Sequence, residues 1–160
     1  MADLLVLEGL RKNFGDFTAV DGISLQVGVG EVLGFLGPNG AGKSTTMKMA
    51  AGFLEPDAGH ATICGHDIGT APKAAKQVLG YLPEGAPAYG EMRVGSFLKF
   101  CADVRGLSGP EQTKAIALAM QRTGLVPVAD QVIDTLSKGF RRRVGLAQAI
   151  LHEPQVLILD

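Results

Sequence analysis

Gly37-Pro38-Asn39-Gly40-Ala41-Gly42-Lys43-Ser44 fits the pattern GxxxxGK[ST], and the residue types in it suit an anion. Glycines let successive backbone N–H groups turn toward one point, and a helix that begins where the loop ends adds the positive end of its dipole. Lys43 has the length to reach β- and γ-phosphates, and the Ser44 hydroxyl can ligate Mg²⁺ beside them. The chemistry this predicts is the binding of a nucleoside triphosphate with its metal. Two further groups fit that chemistry. Asp160 ends the apolar run Val156-Leu157-Ile158-Leu159 and offers a carboxylate to the metal's water shell, unless it simply closes a turn. Ser137 opens a helical stretch, where its hydroxyl can at least serve as an N-cap.

A phosphate loop works only when a strand and a helix hold its two ends. Glu31-Val32-Leu33-Gly34-Phe35-Leu36 is apolar without polar alternation, as expected of a strand covered on both faces. From Gly42 to Gly52 no breaker intervenes, which predicts a helix directly on the glycine turn. Upstream, 4–8 and 18–27 read as an antiparallel strand pair, the second folding around a turn at Asp21-Gly22. Downstream come a strand over 61–64, a helix over 72–79 opened by Pro72, and a strand over 80–82. Helical patterns then occupy 94–105, 110–123 and 138–152, before the apolar strand over 156–160. The order predicts an α/β fold with an N-terminal antiparallel β portion and an inserted helical subdomain. Residues 1–92 are expected to form the nucleotide-binding core, 93–153 the helical subdomain, and 154–160 the return strand of the core.

Composition removes other classes. The 160 residues carry 15 Lys plus Arg against 16 Asp plus Glu, a net charge of −1, so there is no chain-wide basic footprint for nucleic acid. Arg141-Arg142-Arg143 is the only basic run, and successive helix positions spread around the axis, so it reads as a solvated or dimer-facing segment. With 46% apolar residues the chain can bury a core, and 22 glycines imply tight backbone turns. Cys64 and Cys101 lie far apart without CxxC spacing, which fits a reducing compartment. His60, Cys64 and His66 would share a strand face, but Gly65 interrupts it, and a turn with incidental polar residues explains the segment. No apolar stretch is long enough to span a membrane.

Taken in order, these pieces resemble the ATP-binding cassette family, and specifically the ATPase subunits of ABC transporters. Gly37 to Ser44 matches its Walker A motif, Gly80-Tyr81-Leu82-Pro83-Glu84 its Q-loop region, Leu136-Ser137-Lys138-Gly139-Phe140 its LSGGQ signature, and Val156 to Asp160 its Walker B strand. The resemblance implies a P-loop NTPase fold and ATP with Mg²⁺ as cofactors. It implies nucleotide contacts from Gly37, Pro38, Asn39, Gly40, Ala41, Gly42, Lys43, Ser44 and Thr45, and an adenine platform at Phe14, whose other reading is a core residue. Ser44, Glu84 and Asp160 become the metal-facing residues, and Lys43, Glu84, Ser137 and Gly139 the catalytic set. Ser137, Gly139 and the helix start would act in trans, on ATP held by a second cassette, in a homodimer or heterodimer.

The remaining implied partners are transmembrane permease subunits, placing the chain at the cytoplasmic face of the membrane; no nucleic acid is implied. Two motifs depart from the family pattern: Lys138 and Phe140 replace a glycine and a glutamine of the signature, and Glu84 stands where glutamine is usual in the Q-loop. These variants resemble the branch that serves ABC-2-type exporters. Soluble, non-transport members of the family are the alternative, and a non-hydrolysing nucleotide-binding fragment is another. The family's catalytic glutamate follows the Walker B aspartate, so the 160 residues alone are expected to bind ATP without turnover, as the front part of a longer protein.

Overall fold

Alternating apolar residues draw the start of the chain into a long hairpin. In a computed structural model, which describes residues 3–85 and 88–160, strand β1 (Asp3–Phe14) runs antiparallel to β2 (Phe17–Gly28) across a turn at Gly15-Asp16. Helix α1 (Lys43–Ala50), strands β3 (Ala58–Ile63) and β4 (His66–Asp67) and helix α2 (Pro72–Gln77) follow. The sheet order is β2-β1-β3-β4. Leu5, Leu7 and Leu10 on β1, Val20 on β2, Ala61 and Ile63 on β3, and Met49 and Ala50 on α1 are buried. These elements, up to Leu79 and joined by Asp160, form one unit; Gly80–Leu159 form another.

Two expectations are corrected here. Asp21-Gly22 is not a turn. The register passes from Leu10 opposite Ile23 to Arg11 opposite Asp21, so Gly22, with φ of 72°, is the extra residue of a bulge inside β2. Arg11 closes the irregularity with an ion pair to Asp21 at 3.0 Å. Residues 31–36 are not a buried strand either: they are irregular, with Val32 96% and Leu36 92% exposed. A two-face-covered strand exists only through the neighbours that take its backbone hydrogen bonds. No ladder among the described residues includes this segment.

The second unit contains strand β5 (Leu79–Leu82, its first residue in the other unit), helices α3 (Val94–Val104), α4 (Gly109–Thr123) and α5 (Lys138–Ile150), and strand β6 (Val156–Leu159), which pairs with β5. Val94, Phe97, Leu98 and Ala102 recur at helical spacing on α3 and pack with Ala119, Leu125, Ile133, Val144, Ala147 and Leu151 into one core. Helix boundaries follow their punctuation. Pro110 sits in the first turn of α4, and Gly124 ends it in the left-handed conformation with φ of 67°. In β6 burial alternates: Val156 and Ile158 are buried, while Leu157 and Leu159 are exposed.

Candidate functional site

The glycine loop is shaped by conformation and by crowding. Gly40 and Gly42 both have φ of 83°, in the left-handed region. At Gly42 a Cβ would also run into the carbonyl oxygen of Ala19 on β2, so the start of α1 is pressed onto the hairpin at the one residue that can fit. Lys43 folds back over the loop, its ammonium donating to the carbonyls of Gly37 at 2.6 Å and Pro38 at 2.7 Å. The Ala41 N–H donates to the Pro38 carbonyl at 3.2 Å. The loop is thus closed on its own lysine.

No side chain caps α1. The first intrahelical bond runs from the Thr46 N–H to the Gly42 carbonyl at 2.9 Å, and the Thr46 hydroxyl donates to that carbonyl at 2.9 Å as well. The N–H groups of Lys43, Ser44 and Thr45 therefore lie ahead of the intrahelical ladder, where a helix start binds anions. The Ser44 hydroxyl donates to the Asp160 carboxylate at 2.8 Å, in a partly buried position. A hydroxyl and a carboxylate oxygen at that separation are hard ligands of the kind Mg²⁺ takes beside phosphate, so the residues present fit the metal.

Phe14 lies in the same unit, at the hairpin end, and is not a core residue: it is 52% exposed, as is Phe17 at 60%. Its backbone is braced. Lys12 donates to Asp57 at 2.8 Å, the Asn13 N–H reaches the same carboxylate at 2.7 Å, and the Lys12 ammonium stands 5.9 Å from the Phe14 ring centroid. The bond from Lys12, with that from the Asn13 N–H, holds the Asp57 carboxyl below its ordinary value.

Glu84, Ser137 and Gly139 belong to the second unit. Glu84 is exposed in a turn with Gly85, whose φ is 90°. Ser137 is the N-cap of α5, its hydroxyl oxygen accepting from the Phe140 N–H at 3.3 Å. Lys138 and Gly139 are exposed, whereas Phe140 is half-buried against the helical core with the Arg143 guanidinium 5.1 Å over its ring. The first unit thus brings Gly37 to Thr45 together with Asp160, while Glu84 and the Ser137 segment belong to the second.

One residue escaped the sequence reading. Arg142 is not simply solvated: it is half-buried, and its guanidinium donates to the Pro83 carbonyl at 2.9 Å, immediately before Glu84. The signal was available, since Arg142, Gly145 and Ala149 recur at i, i+3 and i+7 and so share one face of α5.

Residues 20–160 match the family model described as ABC transporter. The chain is 42% identical over 151 residues to the protein named probable multidrug ABC transporter ATP-binding protein YbhF of Escherichia coli (strain K12), covering 94% of this chain and 26% of that protein. It is 38% identical over 157 residues to the linearmycin resistance ATP-binding protein LnrL of Bacillus subtilis (strain 168), covering 98% and 50%. Nod factor export ATP-binding protein I of Rhizobium sp. (strain N33) is 36% identical over 154 residues, at 96% and 51%. The chain thus spans between 26% and 51% of the length of these relatives. Among solved structures, an ATP-binding subunit of an ABC transporter superposes with a TM-score of 0.88 at 29% identity, covering 98% of this chain and 65% of that one. CbiO1 of Clostridium perfringens, described as part of the ABC transporter complex CbiONQ, gives 0.84 at 30% identity, covering 99% and 65%.

Proposed function

With residues 20–160 matched, the chain belongs to the ABC transporter family as an ATP-binding domain, and we propose that the whole protein binds and hydrolyses ATP to drive export through separate transmembrane subunits. The observation that carries this is the closed glycine loop on the start of α1, with Ser44 held 2.8 Å from Asp160. Lys43 exchanges its loop carbonyls for β- and γ-phosphate oxygens, and the N–H groups from Gly40 to Thr45 receive the same phosphates. Mg²⁺, when bound, neutralises phosphate charge; Ser44 and Asp160 hold it, and Glu84 joins from its turn, as metal-facing group or by orienting the attacking water. Phe14 offers its exposed ring to the adenine. Ser137 and Gly139 serve ATP held by a second cassette, and the subunit works at the cytoplasmic face, where its permease partners emerge.

Export is supported by the relatives' names, which include multidrug, linearmycin resistance and Nod factor export proteins. Among the described residues no helix is long and apolar enough to cross a membrane. Calorimetric titration with MgATP tests the core of the proposal. The expected result is saturable binding that Lys43→Ala removes; equal binding by both proteins overturns it. Copurification of the whole protein with a polytopic membrane protein tests the transport reading.

A further inference from the structure

We propose that Arg142 is a positioning residue that fastens the Glu84 turn to α5, so that Glu84 and the Ser137 end of the helix move as one body. The inference rests on the reading of Glu84 as a metal- or water-facing group, and deepens it by naming what holds that group in place.

The segment leading to Glu84 is gripped by α5 at two points. At the first, Gly80 lies so close to the helix that a Cβ would run into the Ala149 carbonyl oxygen, with Pro154 Cγ at 2.8 Å and Leu157 Cδ1 at 2.9 Å. At the second, the Arg142 guanidinium donates to the Pro83 carbonyl at 2.9 Å. The two grips are metrically consistent. Three residues of extended chain from Gly80 to Pro83 span about 10 Å. Seven residues of helix from Arg142 to Ala149 span about 10.5 Å. A straight strand running antiparallel to the helix therefore satisfies both at once. Arg142, Gly145 and Ala149 lie on one helix face, and the two small residues leave room for the strand to approach.

The grip is rigid on the helix side and ends at Pro83. Val144 and Ala147 are fully buried, which fixes α5 in its core. Beyond Pro83 the chain enters the exposed Glu84-Gly85 turn, where Gly85 adopts a φ of 90°. Arg142 thus makes the last contact described between α5 and the chain before Glu84. Proline contributes no N–H of its own, so its carbonyl is the group through which that residue can be held by hydrogen bonding. A guanidinium, planar and always charged, holds a carbonyl in a fixed direction better than a flexible ammonium. Any rotation of the signature end of α5 is then carried to Glu84 through Pro83.

The test uses the complete protein with Arg142→Met, which keeps an apolar stem, and Arg142→Lys, which keeps the charge and stays informative if the methionine variant folds poorly. ATP affinity is expected to stay within about twofold while kcat falls about tenfold in Arg142→Met, with partial recovery in Arg142→Lys. In a Glu84→Ala background, Arg142→Met should cost little further, because the group it positions is gone. An unchanged kcat, or the same loss with and without Glu84, overturns the positioning role and leaves Arg142 as packing. Failure of the unsubstituted protein to bind ATP would overturn the nucleotide reading itself, and with it this role.

Discussion

Gly40 and Gly42 share a φ of 83° but not a neighbourhood. A Cβ at Gly40 meets nothing within 4 Å, while at Gly42 it meets the Ala19 backbone. Alanine at position 40 should therefore cost only left-handed strain, about 1 kcal/mol, whereas Gly42→Ala adds a backbone collision and should cost about 3 kcal/mol. Urea unfolding of the two variants checks the ordering; equal losses would show that the hairpin yields to α1. Ser44 poses a different question, because its bond to Asp160 occupies the two oxygens that the metal would use. Ser44→Ala is expected to weaken ATP binding in the presence of Mg²⁺ and to leave binding in EDTA nearly unchanged. Parallel titrations in the two buffers separate a metal ligand from a merely structural hydroxyl.

The hairpin end illustrates how an element can hold in place the ring proposed to meet the adenine. Phe14 is exposed at a strand end that Lys12 and Asn13 tie to Asp57, which lies just ahead of β3. Since these bonds depress the Asp57 carboxyl, their contribution is full above the ordinary aspartate range and is lost as pH falls through the lower, folded value. The stability gap between the unsubstituted chain and Asp57→Asn should thus be widest near neutrality and narrow as pH falls below the ordinary aspartate range. Denaturation series across that range would show it, and a pH-independent gap would place the effect elsewhere. Elements whose information is local were legible beforehand. Periodicity and punctuation located α3 within a residue of its described end, and Pro110 and Gly124 bracketed α4. The phosphate loop was legible for the same reason, as eight consecutive residues. What was not legible depends on distant partners: the irregular 31–36 segment, whose strand character would come from neighbours, the Gly22 bulge set by its register with β1, and Arg142, whose role lies 59 residues away at Pro83.

For the whole molecule, the telling glycine is one the chain's own packing does not require. Gly139 sits exposed in the first turn of α5, and among the described residues outside its own helix backbone a Cβ there would meet the Ser137 hydroxyl oxygen alone, at an ordinary 3.9 Å. Its φ is not in the left-handed region. Nothing among the described residues explains a glycine there, a residue type that costs up to about 1 kcal/mol relative to alanine in a helix interior. A second cassette bringing its nucleotide against the start of α5 would explain it, since a phosphate there needs the backbone bare. Gly139→Ala should consequently raise the stability of the chain slightly while weakening ATP-driven pairing of the complete protein. Thermal melts and sedimentation with ATP under non-hydrolysing conditions read the two effects separately. Opposite signs would tie Gly139 to the partner's nucleotide. A variant that is both more stable and fully able to pair would remove the signature segment from the interface.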